Sequence, residues 1–196
     1  MSTIVFDFGG VLLTDGSKTA WARLERKFGV PAEASALLWK TKLQRQADLG
    51  EISEETVWAQ LQSLIPQIST GEIRATFLEG YLEIPLGVEA LIAAKAAGWE
   101  VVLATNNVTA WLEYWQEQHG WMQRIDVVCC SSDLGVRKPS PEFFSILRER
   151  VSDPAAYFVD DDATNCSAAA TAGFRPILVN AEGAWPVPDF AAEVHR

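Results

Sequence analysis

The sequence predicts an α/β fold built on a parallel sheet, with a small helical insert after the first strand. Three observations carry this. The run Ile4-Val5-Phe6 is β-branched and aromatic without a break, as a strand buried on both faces must be. From Pro85 onward strand-like and helix-like stretches alternate, the pattern of parallel strands joined by right-handed crossovers. Between them, from about Asp15 to Glu83, apolar residues recur at helical spacing and no strand declares itself.

The first strand stops at Asp7, and Gly9-Gly10 follow. An unpaired buried charge is costly, so Asp7 belongs at the strand's open end. Glycines there let the chain turn sharply and let a ligand approach. An aspartate capping a turn would account for this stretch equally well.

In the insert, Trp21, Leu24 and Phe28 share one helical face, as do Leu37, Leu38 and Thr41, with Gly29-Val30-Pro31 between the two. Gly50-Glu51-Ile52-Ser53 ends one helix. Ser53, with Glu54 and Glu55 behind it, starts the next. That helix carries Val57, Trp58, Leu61 and Leu64 and is closed by Pro66; a fourth runs from about Thr70 to Tyr81. The tryptophans of this insert read as core. Gln44, Arg45, Gln46 and Glu51 are polar candidates for substrate contact, although an exposed helix face explains each as well.

A helix from Gly87 to Ala97 ends at Gly98, and a strand follows from Glu100 to Ala104. Thr105-Asn106-Asn107 leads into a helix from Val108 to His119, with Asn107 as its start. Ile125 to Cys130 is a strand. Ser140 and Pro141 supply the cap and first-turn proline of the next helix. Tyr157 to Val159 is a short strand running into Asp160-Asp161-Asp162, followed by a helix to Ala172. Pro176 to Val179 is the last strand, and the tail with Pro186 and Pro188 is a loop and short turn. The division expected is 1–14 with 85–196 as the sheet-bearing core and 15–84 as a helical cap.

The 196 residues allow one domain, or one with a small insert. A formal charge of −10 argues against nucleic acid and anionic membrane as partners. A small phosphorylated metabolite remains admissible, because a bound divalent cation reverses the local potential. Oligomeric state is not legible. Cys129, Cys130 and Cys166 form no disulfide framework or zinc spacing, which fits a reducing, cytoplasmic location. No signal peptide or membrane-spanning run is recognised. His119 and His195 stand apart and receive no role.

In parallel α/β sheets ligands bind outside the carboxyl ends of the strands. Asp7, Thr105, Lys138, Asp160 and Asp161 all fall at such ends, and neighbouring strands lie only about 4.8 Å apart. Asp7 with Asp160 and Asp161 makes an oxygen-rich site suited to Mg²⁺, to which the Gly9 carbonyl can add. A threonine hydroxyl and amides at a helix start make an anion site. Lys138, ahead of a proline-started helix, would neutralise a phosphate and the nearby carboxylate. Each group has an ordinary structural explanation, such as acids favoured at a helix start. Together they are the parts for phosphoryl transfer through an aspartyl phosphate.

Four stretches resemble the haloacid dehalogenase superfamily: Phe6-Asp7-Phe8-Gly9-Gly10-Val11-Leu12, Leu103-Ala104-Thr105-Asn106-Asn107, Gly135-Val136-Arg137-Lys138-Pro139 and Phe158-Val159-Asp160-Asp161. The likeness is closest to the phosphatase branch containing bacterial α-D-glucose-1-phosphate phosphatases, through Gly50-Glu51-Ile52-Ser53, Ser132-Asp133-Leu134-Gly135-Val136-Arg137-Lys138-Pro139 and Asp160-Asp161-Asp162-Ala163-Thr164-Asn165. The resemblance implies a Rossmann-like core and a Mg²⁺-dependent phosphatase acting on a small phosphorylated metabolite such as a sugar phosphate. It implies Asp7 as nucleophile, with Thr105, Asn106 and Lys138 holding the phosphoryl group. It implies Asp7, the Gly9 carbonyl, Asp160 and Asp161 around Mg²⁺.

One departure stands out. Most phosphatases of the superfamily carry a second aspartate, the general acid and base, two positions after the nucleophile. Here that position is Gly9, as in the glucose-1-phosphate phosphatase branch. Losing such a group costs about 10²–10⁴-fold in rate. The rival readings are a 2-haloacid dehalogenase, a phosphosugar mutase, and a phosphate-binding protein without turnover. Dehalogenation leaves Asp160 and Asp161 without a purpose, and a mutase needs the missing acid–base group most.

Overall fold

The computed structural model describes residues 1–14, 16–30, 42–180, 185–187 and 190. Five strands form one sheet: β1 (Thr3–Phe6), β2 (Glu100–Thr105), β3 (Val127–Cys130), β4 (Tyr157–Asp160) and β5 (Arg175–Leu178). They are all parallel, in the order β3-β2-β1-β4-β5. β1 is central because both of its faces are apolar. Ile4 and Phe6 join Val101 and Leu103 in one core, while Val5 joins Val102, Ala104 and Phe158 in the other. Phe6 stands beside Leu103 of β2 and Val159 of β4. That register brings Asp7, Thr105 and Asp160 to one edge of the sheet.

Nine α-helices occur among the described residues. Four precede the second strand-bearing half: α1 (Gly16–Phe28), α2 (Gln44–Asp48), α3 (Glu54–Gln62) and α4 (Thr70–Leu78). Five follow: α5 (Pro85–Ala96), α6 (Thr109–Gln118), α7 (Ser131–Leu134), α8 (Pro141–Arg150) and α9 (Ala163–Thr171). The caps expected of Ser53 and Ser140 are present, each hydroxyl accepting from a backbone N–H in the first turn. Ser69 adds one that was not foreseen, a full capping box with Glu72. The helix expected at Leu37, Leu38 and Thr41 lies outside the described residues.

The chain enters and leaves the helical insert through paired segments. The Thr14 N–H donates to the Leu82 carbonyl (2.7 Å), and the Ile84 N–H to the Leu12 carbonyl (2.9 Å). Aromatic side chains weld the insert to α6. Trp58 lies 5.3 Å from Trp111 and 5.6 Å from Phe77 between ring centres, and Tyr81 4.8 Å from Trp115. Pairs at such spacing add about 0.5–1.5 kcal/mol beyond their burial. Trp21 and Trp58 are buried, as core tryptophans should be.

Three details differ from the sequence reading. β3 begins at Val127 because a 3₁₀ turn, Gly120–Arg124, takes up the preceding chain. Asp126, just ahead of it, still donates its N–H to the Val101 carbonyl (2.8 Å), while its carboxylate accepts from the Val101 N–H (2.9 Å) and pairs with Lys95. Asn107 does not cap α6; its Oδ1 accepts from the adjacent Val108 N–H (2.8 Å). The free N–H groups at this helix start are met across space, Asn107 by Ser131 Oγ and Thr109 by Ser132 Oγ, each at 3.0 Å. His119 is not isolated: its Nδ1 lies 2.7 Å from Glu83 Oε1, which also accepts from Trp121 Nε1. Among the described residues no helix is long and apolar enough to cross a membrane.

Candidate active site

Asp7 leaves β1 with its own N–H bound to the Val159 carbonyl (2.9 Å), so β4 fixes the height at which its carboxylate emerges. The next turn is tight. The N–H groups of Leu12 and Leu13 both donate to the Phe8 carbonyl (2.9 Å each), and Gly10 donates to the Leu13 carbonyl (2.7 Å). Gly10 has φ of +77°, and a methyl group there would sit 2.1 Å from Asp161 Oδ2. Glycine is thus required twice, for the backbone and for the carboxylate packed over it. Gly10→Ala is expected to cost about 1–3 kcal/mol and to weaken Mg²⁺ binding by displacing Asp161. Urea unfolding and calorimetric Mg²⁺ titration measure the two effects.

One oxygen from each of Asp7, Asp160 and Asp161 falls within a group whose members are all within 4.8 Å of one another. Such an all-oxygen set can hold Mg²⁺, a hard cation that keeps several waters. Lys138 reaches the same place from the loop after β3. Its Nζ lies 2.8 Å from Asp7 Oδ1 and 2.7 Å from Asp160 Oδ2, with the lysine side chain 1% exposed. Asn106 holds Lys138 by its backbone: Asn106 Nδ2 donates to the Lys138 carbonyl (3.0 Å), and the Lys138 N–H donates to Asn106 Oδ1 (2.8 Å). The Asn106 amide thus positions the lysine backbone. Asn165 does the same for Asp160, its Nδ2 donating at 3.1 and 3.2 Å to the two carboxylate oxygens. The Asp162 N–H adds a bond to Asp160 Oδ1 (2.8 Å). Asp162 itself caps α9 through Thr164, so the third acid of the run has the structural role its position suggested.

The electrostatics follow from burial. Desolvation pushes the Asp7 carboxyl upward, the Lys138 charge pulls it back, and Asp160 pushes it up again. Desolvation alone would pull Lys138 down, but the two facing carboxylates outweigh it and raise it above the ordinary lysine value. The ammonium stays charged at neutral pH. A divalent cation adds to it in favouring ionised Asp7.

These groups open onto a cavity of about 110 Å³ lined by Asp7, Gly9, Thr105, Asn106, Asn107, Lys138 and Asn165 from the sheet edge. Gln44, Asp48, Tyr81 and Trp111 also line it. Of the strand-end residues singled out from the sequence, Asp7, Gly9, Thr105, Asn106 and Lys138 line it, while Asp160 and Asp161 join through the carboxylate cluster. Of the polar insert candidates, Gln44 reaches the cavity. Asp48 and Asn165 were not foreseen. Asn165 carries a weak signal, an amide one turn into the helix after the acids. Asp48 carries none, because its charged neighbour, Arg137 at 3.4 Å, is remote in sequence.

Over 207 residues the chain is 25% identical to (S)-2-haloacid dehalogenase 4A of Burkholderia cepacia, covering 98% of this chain and 88% of that one. It is 28% identical over 188 residues to a D-ribitol-5-phosphate phosphatase of Bacteroides thetaiotaomicron, covering 89% and 90%. A solved HAD family enzyme of B. thetaiotaomicron, in complex with magnesium and inorganic phosphate, superposes with a TM-score of 0.74 at 18% identity, over 95% of this chain and 98% of that one. The family model for haloacid dehalogenase-like hydrolases matches residues 1–173, a span that takes in β1, the helical insert and every carboxylate of the cluster. By that match the chain belongs to the haloacid dehalogenase-like hydrolases.

Proposed function

We propose that this hydrolase is a Mg²⁺-dependent phosphatase of a small phosphorylated metabolite, working through an aspartyl phosphate on Asp7. The observation that supports it most is the convergence of Asp7, Asp160 and Asp161 on one cation-sized space with Lys138 bridging two of them. Asp7 attacks phosphorus. Lys138 and Thr105 take the equatorial phosphoryl oxygens, with the Asn106 and Asn107 segment at the helix start. Asp7, the Gly9 carbonyl, Asp160 and Asp161 would hold Mg²⁺, which when bound screens charge on the phosphoryl group. Residues 15–84 serve as a cap over a core of 1–14 and 85–196, and close a small, polar cavity that suits a small polar substrate such as a sugar or polyol phosphate. The three cysteines are buried and free, which fits a reducing cytoplasm.

The dehalogenase relative gives a second reading, attack of Asp7 on carbon. Displacement of halide needs no cation, so it leaves the Asp160–Asp161 cluster unexplained. The two are separated by assay. The expected result is phosphate release from acetyl phosphate or p-nitrophenyl phosphate with Mg²⁺, lost on adding EDTA and restored by excess Mg²⁺. Chloride release from 2-chloropropionate, indifferent to EDTA, would replace this reading with the second.

A further inference from the structure

The family's usual acid–base aspartate is absent at Gly9, and the space it would fill is open: a Cβ built on Gly9 meets no atom within 4 Å. Gly9 borders the same cavity as Asp7 and, from the helical insert, Asp48. Asp48 lies at the end of α2, 2% exposed, and its Oδ2 is buried without a hydrogen-bond partner. Arg137 Nη1, at 3.4 Å, offers charge but no hydrogen bond. A buried carboxyl oxygen that has an ion-pair neighbour but no hydrogen bond, on a residue lining a small cavity, has hydrogen-bonding capacity free for a ligand atom.

We propose that Asp48 is the general acid and base of the reaction, supplied from the insert in place of the aspartate that Gly9 lacks. This rests on the phosphatase reading of the site. In the first step an Asp7 oxygen bonds to phosphorus, the phosphorus–ester oxygen bond breaks, and the departing oxygen takes the Asp48 proton. In the second, water attacks the aspartyl phosphate and gives its proton to the Asp48 carboxylate. The Asp7–phosphorus bond breaks, inorganic phosphate leaves, and Asp48 is again protonated.

The surroundings suit both halves. Burial pushes the Asp48 carboxyl up to about 7, against the pull of Arg137, so both protonation states are accessible near neutral pH. The titratable groups sharing its cavity are Asp7, Lys138 and Tyr81. On α7, which packs against α2, the acid is Asp133, and it is bound to Thr109 Oγ1 (2.6 Å). Gly50, two residues on, holds α2 in place: with φ of +67°, it brings a would-be Cβ within 2.3 Å of the Ser132 carbonyl.

The test compares parent, Asp48→Asn and Asp48→Glu on p-nitrophenyl phosphate and glycerol phosphate with Mg²⁺. Nitrophenolate departs without a proton, whereas an alkoxide needs one. With p-nitrophenyl phosphate, Asp48→Asn is expected to give a burst of about one equivalent of nitrophenolate, then slow turnover, with phosphoenzyme visible by intact mass. With glycerol phosphate it shows no burst, and kcat falls about 10²–10⁴-fold. Asp48→Glu recovers part of the loss. In metal-free protein, carboxyl NMR shows an Asp48 resonance whose titration is shifted upward, identified by its loss in Asp48→Asn and distinct from that of Asp7, which burial also raises and which persists in the variant. The proposal is overturned if Asp48→Asn matches the parent, if only KM rises, or if both esters slow equally without phosphoenzyme. A parent that hydrolyses no phosphate ester would instead remove the phosphatase reading, and this one with it.

Discussion

Asparagine in place of Asp7 is expected to abolish phosphate release, by on the order of 10⁴–10⁶-fold in kcat. The amide keeps the size of the carboxylate and forms no acyl phosphate, so the effect is on chemistry and not on shape. The fold should survive, because β1 is held by its two flanking strands and the Asp7 N–H bond to Val159 is a backbone contact. Lys138 keeps Asp160 as a partner at 2.7 Å. Phosphate release and trapping of the phosphoenzyme read the result together. No phosphoenzyme should form in the variant, whichever ester is offered. Retention of activity within about tenfold of the parent would remove Asp7 as the nucleophile and the reaction scheme with it.

The second large effect is on stability. Lys138→Met is expected to destabilise the metal-free protein by about 3–5 kcal/mol near neutral pH, the cost of leaving buried charges without their partner. The lysine is the only described cation in ion-pair contact with either Asp7 or Asp160. Without it, two largely buried carboxylates face each other with no facing positive charge. The sign with pH follows. The Asp7 carboxyl, already raised by burial with the lysine in place, is raised further once the lysine's pull is gone, so the folded state binds more protons than the unfolded state between its folded and unfolded pKa values. The variant's stability therefore recovers as pH falls toward the ordinary carboxylate range. Mg²⁺ should restore part of the loss by supplying positive charge at the same oxygens. Urea unfolding at several pH values, with and without Mg²⁺, checks this; a variant as stable as the parent at neutral pH would show that Lys138 is not what holds the carboxylates together.

The readable part of the site was the part written in local sequence. Asp7 ends an apolar run, Thr105 ends another, and Asp160 ends a third; strand ends in a parallel sheet share an edge, so these residues had to meet. The residues that make the site rigid were harder to read. Asn106 is an unremarkable loop residue until its amide is seen clamping the backbone of Lys138. Ser131 and Ser132 look like a polar turn, yet they cap α6 from across the sheet edge. Both contacts join segments more than twenty residues apart. Nothing in the spacing of either segment encodes the other. The tail shows the same limit: read as loop and turn, it places Phe190 edge-on to Trp99 at 5.1 Å and its carbonyl on Trp99 Nε1.

What the chain's sequence determined by itself was the alternation of strand and helix, the helical insert, and which acids sit at strand ends. Those follow from periodicity and from the cost of burying charge, both of which act over a few residues. Only the tertiary structure decided that Asp48 lines the same cavity as Asp7, that Arg137 sits beside it, and that Lys138 spans two carboxylates. Such juxtapositions depend on how whole elements pack, and packing is set by the summed burial of many side chains rather than by any one stretch.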